Sequence, residues 1–188
     1  AVQLVPTQDR AAVGALRKAQ GQIDMVIPRG GKSLVARVQD EARVPVLAHL
    51  DGICHTYIHA KADPAMAEAI AVNAKMRRTG ICGSTETLLI DQDYPEPARL
   101  IGALLDAGCE VRADDTLMEL DARTVPAEEA DWGTEYLDSI VSAKMVSGVD
   151  EAIEHIARYG SQHTESIITN DEAAEVLRLR QWPLGPRR

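Results

Sequence analysis

The sequence predicts an α/β protein built on an open, parallel-type sheet, and three observations carry that prediction. Apolar strand-like runs alternate with segments of helical periodicity along most of the 188 residues. The helical segments are about 10 to 15 residues long, the length of right-handed crossovers between parallel strands. A composition of 45% hydrophobic and 26% charged residues is that of a globular chain with enough apolar mass for a core.

Taken in order, "VQLVP" (2–6) reads as a strand and "DRAAVGALRKAQ" (9–20) as a helix, with Asp9 at its N-cap and Ala12, Val13 and Leu16 on one face. "IDMVIP" (23–28) is a second strand, "RGGKSLVARVQDEA" (29–42) a glycine pair turning into a helix, and "VPVLAHL" (44–50) a third strand. A new cycle opens at "GICHTYIHA" (52–60), where Ile53, His55, Tyr57 and His59 alternate with Cys54, Thr56 and Ile58. "DPAMAEAIAVNAKMRR" (63–78) is the strongest helix: Asp63 caps it, Pro64 takes the first position, and Met66, Ile70, Ala74 and Arg77 recur at near-helical spacing. There follow "ETLLID" (strand), "EPARLIGALLDAG" (helix), "CEVRA" (strand) and "TLMEL", read as another short strand. "PAEEADWGTEYL" reads as a polar loop, "DSIVSAKMV" as a strand, "VDEAIEHIARYG" as a helix, "TESIITN" as a strand and "DEAAEVLRLR" as a helix. A boundary falls near Leu50-Asp51, giving segments 1–49, 50–177 and a divergent tail, 178–188, where Pro183 and Pro186 exclude a regular helix or central strand.

A net charge of -9 argues against nucleic-acid binding, which needs a surplus of Lys and Arg on one face. Cys54, Cys82 and Cys109 form no CxxC pair and leave one thiol over from any disulfide, which suits a reducing cytoplasm and argues against structural zinc. No apolar run approaches the ~20 residues of a membrane span, and no signal peptide precedes the first pattern. Ala1 already stands inside a strand-like run, so the chain is expected to begin part-way into a longer protein.

Cys82 stands out in "RRTGICGSTETLL", flanked by Gly80 and Gly83 between a helix and a strand. A thiol placed there is open to substrate, and its own N–H can face a developing oxyanion; the competing reading is a small buried hydrophobe. Cys54 and Cys109 read as core. His49, His55 and His59 are either ligands or ordinary strand residues, whereas His163 follows a glycine-serine turn and suits a binding role. No sequence rule assembles a Cys-His pair. Gly30 and Gly31 open a helix, where free amides and the dipole favour a phosphate or carboxylate. Glu135, between Trp132 and Tyr136, is either an acceptor for ribose hydroxyls or a solvated loop acid.

These blocks fall in a known order. "IPRGGKSLV", "VPVLAHLDGICHTYI", "KADPAMAEAIAVNAKMRRTGICGSTETLLID", "WGTEYLDSIVSAKMV" and "DEAIEHIARYGSQHTESIIT" resemble consecutive signatures of the glutamate-5-semialdehyde dehydrogenase (gamma-glutamyl phosphate reductase) family, in the aldehyde dehydrogenase superfamily. The resemblance runs from Val2 to Ala174 and implies an aldehyde dehydrogenase-like fold, with a partial Rossmann-like NADP-binding domain at 1–49 and a catalytic cysteine domain at 50–177. It implies NADPH-dependent reduction of gamma-glutamyl phosphate to glutamate-5-semialdehyde and phosphate in proline synthesis, through a thioester on Cys82. It assigns Glu135, Gly30 and Gly31 to the cofactor, and Arg77, Arg78 and His163 to the anionic substrate. A cytoplasmic homo-oligomer, with glutamate 5-kinase as a possible partner, goes with it. Hydrolytic members of the superfamily carry a water-activating glutamate before a glycine pair, where this chain reads "HLDG", which favours reduction over oxidation to an acid. Family members are more than twice as long, so the alternative is a non-catalytic remnant that keeps the fold as a structural or interaction module.

Overall fold

Strands β1 (Cys54–Ile58) and β2 (Thr85–Asp91) are buried at every position, as strands covered on both faces must be. Four more join them: β3 (Glu110–Ala113), β4 (Val125–Pro126), β5 (Ile140–Val146) and β6 (Glu165–Ile168). The strand order is β4-β3-β5-β2-β1-β6, and every pairing between these strands is parallel. The fold is therefore α/β with a parallel sheet, as the alternation of elements predicts. A computed structural model describes residues 2–174, and the chain divides into two compact units, Ala1–Asp51 and Gly52–Arg188. This sheet belongs to the second.

Because side chains alternate across a strand, neighbouring residues serve opposite layers. Ile58, Leu88, Ile90, Val111 and Val141 face helices α3 (Pro64–Met76) and α4 (Pro97–Asp106), while Tyr57, Leu89 and Val146 face α6 (Val149–Tyr159). Helix α4 buries Leu100, Ile101 and Leu104 almost completely. Each burial is worth roughly 1.5–3 kcal/mol, more than propensity differences supply, so packing holds this helix in place.

Helix α3 starts as predicted, with Pro64 first and the Asp63 side chain accepting from the Met66 amide at 2.8 Å. Its buried face is different: Ala67, Ala71 and Lys75 point inward, while Ile70 is exposed. The small alanines let the helix lie close to the sheet, and the Lys75 charge is met inside by Glu86. "TLMEL" is also not a strand. Helix α5 (Asp115–Met118) forms there because Asp114 caps it, one carboxylate oxygen accepting from Leu117 N at 3.0 Å and the other from Met145 N at 2.7 Å. The expected polar loop at 126–137 contains the end of β4 and a 3₁₀ turn, Glu129–Gly133, closed by a reciprocal Glu128–Asp131 capping box.

In the first unit, helices α1 (Ala11–Leu16) and α2 (Lys32–Glu41) form as expected. Asp9 accepts from the Ala11 amide at 2.9 Å, one residue outside the N-cap Arg10. The side chain that α1 contributes to burial is neither Val13 nor Leu16, which are both exposed, but that of the following residue, Arg17, ion-paired to Glu41. The three predicted strands reduce to one parallel bridge, Val26↔Val46. Pro45 has no N–H and contributes only its carbonyl, to Val26 N at 2.9 Å. Met25, Ile27 and Leu47 stay exposed on either side of the bridge. The predicted helix at 171–180 begins before residue 175; its remainder and the tail at 178–188 lie outside the described residues. No described helix is long and apolar enough to cross a membrane.

Candidate active site

Parallel pairing brings the segments that enter β1, β2, β5 and β6 to one end of the sheet. Gly52 precedes β1, Cys82 precedes β2, Tyr136 precedes β5 and His163 precedes β6. This is the amino end of the strands, opposite to the carboxyl end where open parallel sheets usually bind ligands.

Cys82 is half-buried on the loop between α3 and β2, with Gly80 and Gly83 exposed beside it. The end of the loop is tied to the end of α3: the Ser84 hydroxyl donates to the Lys75 carbonyl at 3.3 Å and reaches that of Ala74 at 3.5 Å. The carbonyl of Cys82 accepts from the Cys54 thiol at 3.1 Å and lies against Gly52, where a Cβ would stand 2.2 Å from the Cys82 oxygen. Only glycine fits there.

The two other cysteines are core residues. Burial pushes the Cys54 thiol up to about 12 and that of Cys109 up to about 11, so both are protonated at neutral pH. Beside the half-exposed sulfur of Cys82 stands His163, a ring nitrogen lying within 4.8 Å of it. His163 Nδ1 is also 3.6 Å from Cys54 Sγ and 2.9 Å from the Thr164 hydroxyl. The sequence shows no such pair, since 81 residues separate the two positions; the adjacency of β2, β1 and β6 creates it.

Glu135 is half-buried, and no hydrogen bond or ion pair engages its carboxylate among the described residues. The two residues after it are held firmly. The Tyr136 hydroxyl donates to Asp131 at 2.8 Å and lies 2.7 Å from Ser142 Oγ, with the Arg112 guanidinium 5.2 Å from the ring centre. Burial, above all, pushes the Tyr136 hydroxyl pKa up, so it stays a neutral donor. Arg77 and Arg78 are exposed at the end of α3, and Arg77 lines a groove of about 840 Å³ between α3 and α4 with Asn73 and Arg99. Gly30 and Gly31 lie in the first unit, Gly31 as the N-cap of α2, its carbonyl accepting from Leu34 N at 2.9 Å and Val35 N at 3.2 Å. Sequence reasoning misses Gly52 and the buried Lys75–Glu86 pair; the "HLDG" stretch that contains Gly52 carries a signal for the first.

A half-exposed thiol beside an imidazole, on a loop whose backbone is anchored from two sides, can be activated as a nucleophile and can hold an acyl group.

No family model matches the chain. Over 172 residues it is 65% identical to the gamma-glutamyl phosphate reductase of Rhizorhabdus wittichii, covering 92% of this chain and 40% of that one. It is 59% identical over 178 residues to the enzyme of that name from Zymomonas mobilis, covering 93% and 42%. The crystal structure of gamma-glutamyl phosphate reductase from Thermotoga maritima matches with a TM-score of 0.87 at 37% identity, over 95% of this chain and 44% of that one. An acetylating aldehyde dehydrogenase from Geobacillus thermoglucosidasius shares the fold, with a TM-score of 0.69 at 22% identity over 93% and 47%. The chain spans about two fifths of the length of the curated relatives it matches.

Proposed function

We propose a function from the premise that this chain belongs to the gamma-glutamyl phosphate reductase family: it carries the acyl-transfer centre that reduces gamma-glutamyl phosphate to glutamate-5-semialdehyde and phosphate. The observation that carries this reading is the half-exposed Cys82 thiol, on an anchored glycine-flanked loop, with His163 within 4.8 Å.

Cys82 is the nucleophile. His163 draws off its proton, the sulfur bonds to the acyl carbon, the carbon–oxygen bond to phosphate breaks, and a thioester remains on Cys82. The departing phosphate takes up the proton. His163, once protonated, adds its charge to that of Arg77 and Arg78 around an anionic substrate. The Cys82 N–H serves as one oxyanion donor, and Gly52 and the Cys54 thiol restrain the same loop at the Cys82 carbonyl.

The residues present suit NADPH. The Glu135 carboxylate would accept from ribose hydroxyls, and the Gly30-Gly31 turn at the start of α2 would lie against a phosphate. When bound, NADPH supplies the hydride that releases the aldehyde. A homo-oligomer and contact with glutamate 5-kinase belong to the same proposal.

The test is the reverse reaction, NADPH formation from pyrroline-5-carboxylate, NADP+ and phosphate, with Cys82→Ser as control. Phosphate-dependent turnover that Cys82→Ser abolishes is the expected result. A folded chain with no turnover and no NADPH affinity would instead assign it the structural-module role.

A further inference from the structure

Lys75 and Glu86 are both fully buried, with Nζ 2.6 Å from Oε2. Taking two charges out of water costs several kcal/mol per ion, and a pair of apolar side chains would fill the same space, so the pair calls for a use beyond packing. Its position suggests one. Lys75 sits at the end of α3, where its own carbonyl anchors Ser84 at the end of the Cys82 loop. Glu86 is four residues beyond Cys82 and turns its second oxygen to the segment that enters β5. Leu137 N donates to Oε1 at 3.4 Å. Leu137 adopts φ 54, a left-handed conformation that costs a non-glycine residue of its kind and persists only where its surroundings impose it. The Leu137 carbonyl then lies 3.9 Å from where a Cβ on Gly80 would stand, alongside the Cys82 loop.

We propose that Lys75 and Glu86 are positioning residues: Lys75 keeps the Glu86 carboxylate aimed, and the carboxylate holds the Leu137 amide so that Glu135, two residues before it, is presented beside the Cys82 loop. The pair thereby couples the nucleophile's loop to the segment that contacts the cofactor. The assignment of Glu135 to the cofactor rests on the function proposed above; the clamp itself does not. Burial pushes the Glu86 carboxyl pKa above its ordinary value, and the Lys75 ammonium beside it opposes that shift.

Two double variants of the full chain separate the clamp from the ion pair. Lys75→Met with Glu86→Gln removes both charges and keeps one carbonyl oxygen as acceptor; Lys75→Met with Glu86→Leu removes the acceptor too. Hydrogen exchange read at Leu137 should be slow in the parent, near the parental rate in the Gln variant and at least about tenfold faster in the Leu variant. Exchange elsewhere in the sheet should be unchanged. NADPH affinity by titration should weaken about tenfold in the Leu variant alone. Equal exchange in the two variants overturns the proposal, and if neither variant folds, fast exchange of the Leu137 amide in the parent overturns it. A parent that binds no NADPH overturns the function proposed for Glu135, and the exchange comparison still decides the clamp.

Discussion

Gly52 and Cys82 approach so closely that a methyl on the first would overlap the carbonyl of the second, at 2.2 Å from the oxygen and 2.9 Å from the carbonyl carbon. Both partners are backbone, so no rotamer change relieves the clash. Gly52→Ala should shift the Cys82 peptide, lower stability by about 1–3 kcal/mol and reduce turnover at least about tenfold, because displacement of a reacting group by an ångström is costly. Denaturant melts and the reverse assay read the two effects. Parental turnover would mean that the approach is incidental.

The thiols should separate by reactivity. With Cys54 and Cys109 raised to about 12 and 11 by burial, iodoacetamide at neutral pH should label Cys82 at least about tenfold faster than either. In denaturant the three should react alike. Peptide mass spectrometry after brief labelling distinguishes them, and uniform labelling of the native chain would argue against a poised nucleophile.

His163 should matter to that rate. His163→Asn keeps a polar side chain in the turn before β6 but removes the imidazole beside the sulfur. Alkylation of Cys82 at pH 7 should slow about tenfold while the melting temperature stays put. An unchanged rate would leave His163 as a substrate contact only.

His155, on α6, is buried against His55, Trp132 and Tyr159. Burial, and then the neighbouring His55, pushes its pKa down to about 3. The unfolded chain takes up this proton near the ordinary histidine value of about 6.5, whereas the folded chain does so only near 3. Below the unfolded value the unfolded state binds more protons, so stability is full above it and falls as pH drops, by up to about 1.4 kcal/mol per pH unit. His155→Phe keeps the ring contacts and should flatten this loss between pH 7 and 5 in urea titrations. Parallel stability curves would exclude His155 as its source.

The second unit was largely legible because its elements are long and strongly patterned. The Asp63-Pro64 start and the apolar runs of β2 and β5 could be placed from local chemistry alone. Lys75 was not legible as a core residue, since its burial depends on Glu86 arriving from the next strand. The α5 segment differs for the same kind of reason: "TLMEL" is too short and apolar to show a helical period, and it is Asp114, outside the run, that supplies a cap. In the first unit, apolar runs at 23–28 and 44–50 read as strands yet share a single bridge. Cys82 announced itself through its glycines. His163 did not, because nothing local links it to a thiol 81 residues earlier.

Strand β6 pairs with β1 in a register that sets Glu165 opposite His55, and the Glu165 carboxylate takes the His55 amide at 2.7 Å across 110 residues of sequence. Loop closure over such a distance is slow and comes late in folding. A chain emerging from the ribosome can pair β2 with β1 on one side and with β5 on the other before β6 exists, and throughout that interval Cys82 stands without His163 beside it. The order of strands thus makes the approach of Cys82 and His163 one of the last features of the sheet to be assembled.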